Sequence, residues 1–199
     1  YGDINEETVR MNIFMENKLQ VIEHNKLYEQ NLTTFQMDTN HLSDMLVHEV
    51  VAVLNGYRGE RDESQGSVYI PPEDDFIKLP RSIDWRTRNI VTRVKNQGQC
   101  GSCWAFAATG ALEGQHARKT GYLINLSEQD LVDCCRLCHG CQGGLMTLAY
   151  RCIFMDGGIN SEFDYPYIAR DSVCKYNRNM AVATVTGYAK IASGNESAL

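Results

Sequence analysis

No cysteine precedes residue 100, and no histidine follows residue 139. No run of about 18 apolar residues occurs anywhere, which excludes a transmembrane helix. The first residues, YGDINEETVR, are polar and lack the basic-then-apolar pattern of a secretory leader. Such a leader lies upstream or does not exist. There is no strongly basic patch, which argues against a nucleic-acid partner. Internal repeats and low-complexity tracts are also missing.

The 199 residues suffice for one large domain or two small ones, and a hydrophobic share of 43% allows a sizeable core. The net charge of −6 is unevenly spread. Residues 1–78 hold 15 acidic and 6 basic side chains, a balance of −9, while residues 79–199 hold 10 and 13, a balance of +3. Two segments that face each other would give this asymmetry; so would a drift of surface charge. If they do face each other, acidification protonates carboxylates and weakens the attraction.

All eight cysteines fall after residue 99, which points to a disulfide-bearing domain in an oxidising compartment. Three Asn-x-Ser/Thr triplets, at Asn31, Asn125 and Asn195, agree with that setting, although each is a short pattern.

Apolar positions at Val9, Ile13, Phe14, Val21 and Tyr28 predict a helix over 5–28. A second helix is expected from an N-cap at Ser43 to the stop at Asn55–Gly56. The intervening LTTFQMDTNHL could hold a short strand. Residues 57–78 are charged, carry Gly and paired prolines, and read as an extended, cleavable linker. Further helices are expected from Ser102–Cys103 to Gly121, after an N-cap at Ser127, and around Leu145, Leu148, Ala149 and Cys152. AVATVTGYAKI alternates and reads as a strand.

The stretch NQGQCGSCWAF, residues 96–106, carries the chemistry. A cysteine attacks as a thiolate, and a helix N-terminus favours negative charge through its unpaired N–H groups and dipole. Cys103 sits at such a start. Gly98 and Gly101 allow backbone to approach a substrate carbonyl. The amide of Gln97, with the Cys103 N–H, could hold a developing oxyanion. Cys103 is therefore the candidate nucleophile and Cys100 a disulfide partner.

QGQCGSCWAF resembles the papain-like cysteine proteases, whose signature is C-G-[SA]-C-[WY]. LSEQDLVDC, GCQGGLM and DYPYIARDSVCKYN resemble the same family in order and spacing. The resemblance implies disulfides Cys100–Cys141 and Cys134–Cys174. It implies a cleft lined by Gly143, Gly144, Leu145 and Met146, the last two flanking an apolar pocket for the second residue before the cut, as in the cathepsin L-like branch. Alternatively, Leu145 and Met146 are only helix core.

Residues 1–57 resemble the inhibitory propeptide of this family through Glu6, Arg10, Phe14, Asn17, Val21 and Asn25, with valine where isoleucine is usual. Asn40 and Asp44 match a second, looser motif, in which Asp38 stands where glycine is expected and Leu42 where phenylalanine is usual. The resemblance thus implies an α+β zymogen: a helical propeptide domain over 1–57, a linker over 58–78 crossing the cleft backwards, and the mainly α left domain of a papain-like fold over 79–199, its β-rich right domain largely missing. It implies peptide or protein substrates, the chain's own propeptide as intramolecular inhibitor, a monomer, no cofactor, and a lysosomal or secreted protein.

The family's catalytic histidine and its asparagine lie about 130–150 residues after the cysteine, near or beyond about position 233. The histidines present are His24, His41, His48, His116 and His139, and none matches that position. The chain alone is therefore expected to be inactive. A propeptide-type inhibitor acting on other papain-like proteases, or an inactive truncated homologue, is the competing reading. A zinc site through Cys135, Cys138, Cys141 and His139 is a third. The family bridges leave Cys135, Cys138 and Cys152 over, either free or with an extra Cys135–Cys138 bridge.

Overall fold

A computed structural model describes residues 4–57, 66–71 and 80–198. The linker expected over 58–78 lies outside the described residues except for 66–71. The chain divides into two compact units, Tyr1–Val53 and Leu54–Leu199.

The first unit is built on helix α1, Ile4–Glu29. Its half-buried stripe runs Arg10, Ile13, Phe14, Asn17, Val21, His24 and Asn25. This spacing is helical, but Arg10, Asn17, His24 and Asn25 are polar, and each reaches across to the chain that folds back on the helix. Val9 and Tyr28, expected in the stripe, are exposed. Arg10 makes a two-pronged pair with Glu49, at 2.6 and 2.7 Å, and also donates to the Asp44 carbonyl at 3.2 Å. Asn17 Nδ2 donates to Ser43 O at 2.8 Å, and His24 Nε2 lies 2.9 Å from Phe35 O. The Asn25 amide mimics a strand neighbour, donating to Met37 O at 2.9 Å and accepting from Met37 N at 2.8 Å. With that clamp in place of a strand partner, the stretch 32–42 forms no strand.

Helix α2 spans Val47–Leu54. It does not start at Ser43, whose hydroxyl instead accepts from Asn40 N at 2.8 Å in a turn. Glu49 Oε2 reaches back to Leu46 N at 2.7 Å, half of a capping box, and sets the start three residues later.

In the second unit three helices pack together: α3, Cys103–Thr120; α4, Glu128–Cys134; and α5, Met146–Asp156. Gly121 closes α3 in the left-handed conformation, with φ 82°. Ser127 caps α4 by accepting from Asp130 N at 2.9 Å. Trp104, Ala105, Ala108, Leu131, Ala149 and Ile153 form the core. Beneath α3 and α4, Lys95 Nζ lies 2.6 Å from both Glu113 and Glu128, two fully buried carboxylates. Burial would lower the Lys95 pKa, but the two carboxylates outweigh it and raise the pKa. The expected strand over 181–191 is two short ones. Ala181–Ala183 pairs antiparallel with Ile159–Asn160, and Ala189–Lys190 pairs parallel with Ser67–Val68.

Three disulfides staple this unit: Cys100–Cys141, Cys134–Cys174 and Cys135–Cys152. The third corrects the Cys135–Cys138 alternative. Cys152 comes from α5 and meets the end of α4 because those helices pack, whereas Cys138 points at the Leu145 carbonyl and keeps its thiol. With Cys135 and Cys141 both oxidised, the thiolates that a zinc site needs are consumed.

Candidate active site

Cys103 is the first residue of α3, half-buried and free of disulfides. Its N–H is one of the orphan donors of the first turn. The residue before it, Ser102, does not cap the helix with its side chain. The Ser102 hydroxyl instead lies 2.6 Å from the Tyr167 hydroxyl, which donates to Gln97 O at 2.8 Å. The Tyr167 proton is thus committed to Gln97, and Ser102 donates to Tyr167. The Tyr167 ring stands edge-on to Phe106, with centroids 4.9 Å apart. Burial raises the Tyr167 pKa, so the hydroxyl keeps its proton.

This one phenol ties the loop carrying Gln97 to the helix carrying Cys103. The loop is held from its other side as well. Cys100 is bonded to Cys141, and Gly101 N donates to Cys141 O at 2.8 Å. Trp104 Nε1 donates to Gly140 O at 3.1 Å, fixing the loop before Gly143.

The Gln97 amide is occupied by backbone. Its Nε2 donates to Cys100 O at 2.8 Å and to Leu54 O at 3.0 Å. Beyond Leu54 the chain continues along Gly143–Gly144: Gly144 N donates to Gly56 O at 2.8 Å, and Tyr57 forms a parallel bridge with Gly144. A Cβ on Gly56 would run into the Gly101 carbonyl, so only glycine allows so close an approach. Gly144 is equally confined, since a Cβ there would meet the Trp104 ring at 2.7 Å and Cys138 Sγ at 2.8 Å.

A match to the papain family cysteine protease model covers residues 79–199, and one to the cathepsin propeptide inhibitor domain (I29) covers residues 1–50. The chain belongs to the papain family of cysteine proteases. It is 45% identical to a cathepsin L of Sarcophaga peregrina over 98% of its own length and 60% of the relative's, and 45% identical to human cathepsin L2 over 100% and 59%. Its structure is similar to that of a digestive procathepsin L2 from Tenebrio molitor larval midgut, with a TM-score of 0.87, 36% identity, and coverage of 99% of this chain and 65% of that one. The fold is papain-like with a propeptide, and the chain spans about six-tenths of the length of the curated relatives it matches.

Within this papain-family chain, Gln97 and Gly144 are joined through the Leu54–Gly56 backbone, and Gln97 is joined through Tyr167 to Ser102, the residue before Cys103. Leu145 is extended at the start of α5, and Met146 packs partly on the core, so each is half-buried. Glu6, Arg10, Phe14, Asn17, Val21, Asn25, Asn40 and Asp44 all fall in the first unit. Glu6 lies 3.8 Å from Arg10, and Asn40 Oδ1 accepts from Leu42 N at 2.8 Å. Among the described residues no side chain hydrogen-bonds Cys103. His116 lies on α3 about 20 Å along the axis from Cys103, given a rise of about 1.5 Å per residue. His139 is exposed beside the Cys141 loop.

Two participants escape sequence reasoning. Tyr167 lies in a segment whose composition signals only a loop. Asn55–Gly56 signals a helix stop, and nothing local shows that the Leu54 carbonyl meets Gln97, 43 residues later, or that the Gly56 carbonyl meets Gly144.

Proposed function

We propose that this chain is the zymogen portion of a cathepsin L-like cysteine endopeptidase. Cys103 is the nucleophile. Its N–H and the Gln97 Nε2 receive the oxyanion of the tetrahedral intermediate. Gly143 and Gly144 align the substrate backbone, and Leu145 and Met146 favour an apolar second residue before the cut. Residues 1–57 form the inhibitory domain and 58–78 the linker across the cleft, and activation removes both. The single observation that carries this reading is the Leu54 carbonyl on Gln97 Nε2, with Gly56 and Tyr57 along Gly144. A backbone carbonyl of the chain itself there takes the donor a substrate would need.

The imidazole base and its asparagine are not supplied by the 199 residues. Accordingly the chain alone gives no peptide turnover after its first 78 residues are removed. Joined to a papain-family segment that supplies that histidine and asparagine, the chain hydrolyses peptides with an apolar second residue before the cut, and Cys103→Ala abolishes that. Turnover that survives Cys103→Ala contradicts the assignment.

The match of residues 1–50 to an inhibitor domain favours a second reading, inhibition of related proteases in trans. Tight inhibition of a separate papain-family enzyme by the intact chain, together with no activity of the joined protein, would establish it. The compartment is lysosomal or extracellular, as three disulfides require oxidising conditions during folding.

A further inference from the structure

We infer that Asn31 is the attachment point of an N-linked oligosaccharide. The proposal is independent of the protease reading. Residues 31–33 read Asn-Leu-Thr, one of three such triplets in the chain. Their surroundings separate them.

Asn31 ends α1 in a Schellman motif. Asn31 N donates to Tyr28 O and Leu32 N to Leu27 O, each at 2.9 Å, and Asn31 itself is left-handed, with φ 58°. Glycine is the residue this position favours, because it carries no Cβ penalty. Asparagine is tolerated there, but the turn makes no demand for threonine at position 33. The Thr33 hydroxyl makes only an exposed contact, to Phe35 O at 3.2 Å. Asn31 is exposed, its amide bonds no described residue, and Leu32 is 67% exposed. Asn31 and Leu32 therefore stay reachable after folding, with Thr33 half-buried beside them.

The other two triplets differ from it: the one at Asn125 runs into the core, and the one at Asn195 is exposed but has its asparagine oxygen held by backbone. Leu126 and Ser127 are both fully buried, and the Ser127 hydroxyl is spent on Asp130 N and Tyr165 O. Once the Leu126–Ser161 bridge forms, that triplet is closed. Asn195 Oδ1 accepts from Ala198 N at 3.2 Å. The three disulfides place folding in the compartment where glycosyl transfer occurs.

In the transfer, Asn31 Nδ2 attacks the anomeric carbon of an oligosaccharide carried on a polyprenyl pyrophosphate. The new N–C bond forms as the carbon–oxygen bond to pyrophosphate breaks. The electron pair leaves with the pyrophosphate, and Nδ2 gives up one proton. No redox change is involved.

The test is secretion of the full chain from eukaryotic cells, followed by peptide N-glycosidase in heavy-oxygen water and mass spectrometry of the peptide spanning residue 31. Most molecules should carry labelled aspartate at 31, at higher occupancy than at 125 or 195. Thr33→Val should abolish the label and Thr33→Ser retain it. Asn31→Gly, which suits the turn, should remove the glycan without loss of folding. An unmodified Asn31 in secreted protein, or a label that persists in Thr33→Val, overturns the proposal.

Discussion

The Tyr167 hydroxyl lies 2.6 Å from Ser102 Oγ, immediately before the candidate nucleophile, and donates to the carbonyl of Gln97, the residue whose amide is the candidate oxyanion donor. One side chain thus sets the spacing of the two. Tyr167→Phe leaves the Gln97 carbonyl without its donor and the buried Ser102 hydroxyl with only its 3.4 Å bond to Cys100 O, a cost of about 1–3 kcal/mol. We expect a lower denaturation midpoint and slower alkylation of Cys103, because the loop and helix no longer share a tether. A Tyr167→Phe chain that matches the parent in both would contradict this role.

The Arg10–Glu49 pair predicts how the first unit responds to acid. The Arg10 hydrogen bonds, followed by the backbone N–H of Leu46, bring the Glu49 pKa down to about 2 from an ordinary 4.5. A depressed carboxylate contributes stability that is fully present above its unfolded pKa and is lost as pH falls through its folded one. The clamp therefore holds in mild acid and fails only on approach to about pH 2. Glu49→Gln should destabilise the first unit at neutral pH, and the deficit should shrink steadily below about pH 4.5. A deficit unchanged down to the lowest pH would refute the linkage.

Asp130 has the opposite sign. Burial raises its pKa to about 6, with Asp156 and Asp133 adding to the rise and the Asn160 N–H opposing it. The folded state then holds a proton that the unfolded state releases, so this group costs stability above about pH 6 and the cost disappears as pH falls toward 3.8. Asp130→Asn keeps an acceptor for Asn160 N and removes the charge. It should raise stability at neutral pH by on the order of 1–3 kcal/mol, with no gain in acid. Equal effects at both pH values in chemical denaturation would argue against a buried charge.

The Cys135–Cys152 bridge joins residues 17 apart and ties α4 to α5. Replacing both cysteines with alanine should cost about 2–4 kcal/mol. Thiol titration of the denatured, unreduced chain should find two thiols, those of Cys103 and Cys138. Four would show that this bridge is absent.

How much of this is legible in the sequence depends on the range of the interaction. The end of α3 and the start of α4 are set by neighbours in sequence: Gly121 supplies a left-handed cap and Ser127 an oxygen for Asp130 N. The start of α2 differs from expectation because Ser43 has two local uses, and Asn40 claims it for a turn. The Thr-rich stretch over 32–42 has strand composition but meets an asparagine side chain instead of a strand. In the site, Cys103 and Gln97 are visible as a motif. The partners that complete the arrangement, Tyr167 and Leu54, come from 70 and 43 residues away from Gln97, and only the packed fold brings them in.

The central claim is that the segment from Leu54 to Tyr57 occupies the site by laying its backbone on Gln97, Gly101 and Gly144. Gly56→Ala tests it most directly, because the added Cβ would strike the Gly101 carbonyl, a backbone atom that has little room to yield. The measurement is the rate of Cys103 carboxamidomethylation by iodoacetamide in the intact chain, with far-UV circular dichroism as the check on folding. The predicted rate is roughly tenfold faster than the parent's, the equivalent of losing about 1.4 kcal/mol of docking. A folded Gly56→Ala chain whose Cys103 reacts at the parent rate would contradict the claim.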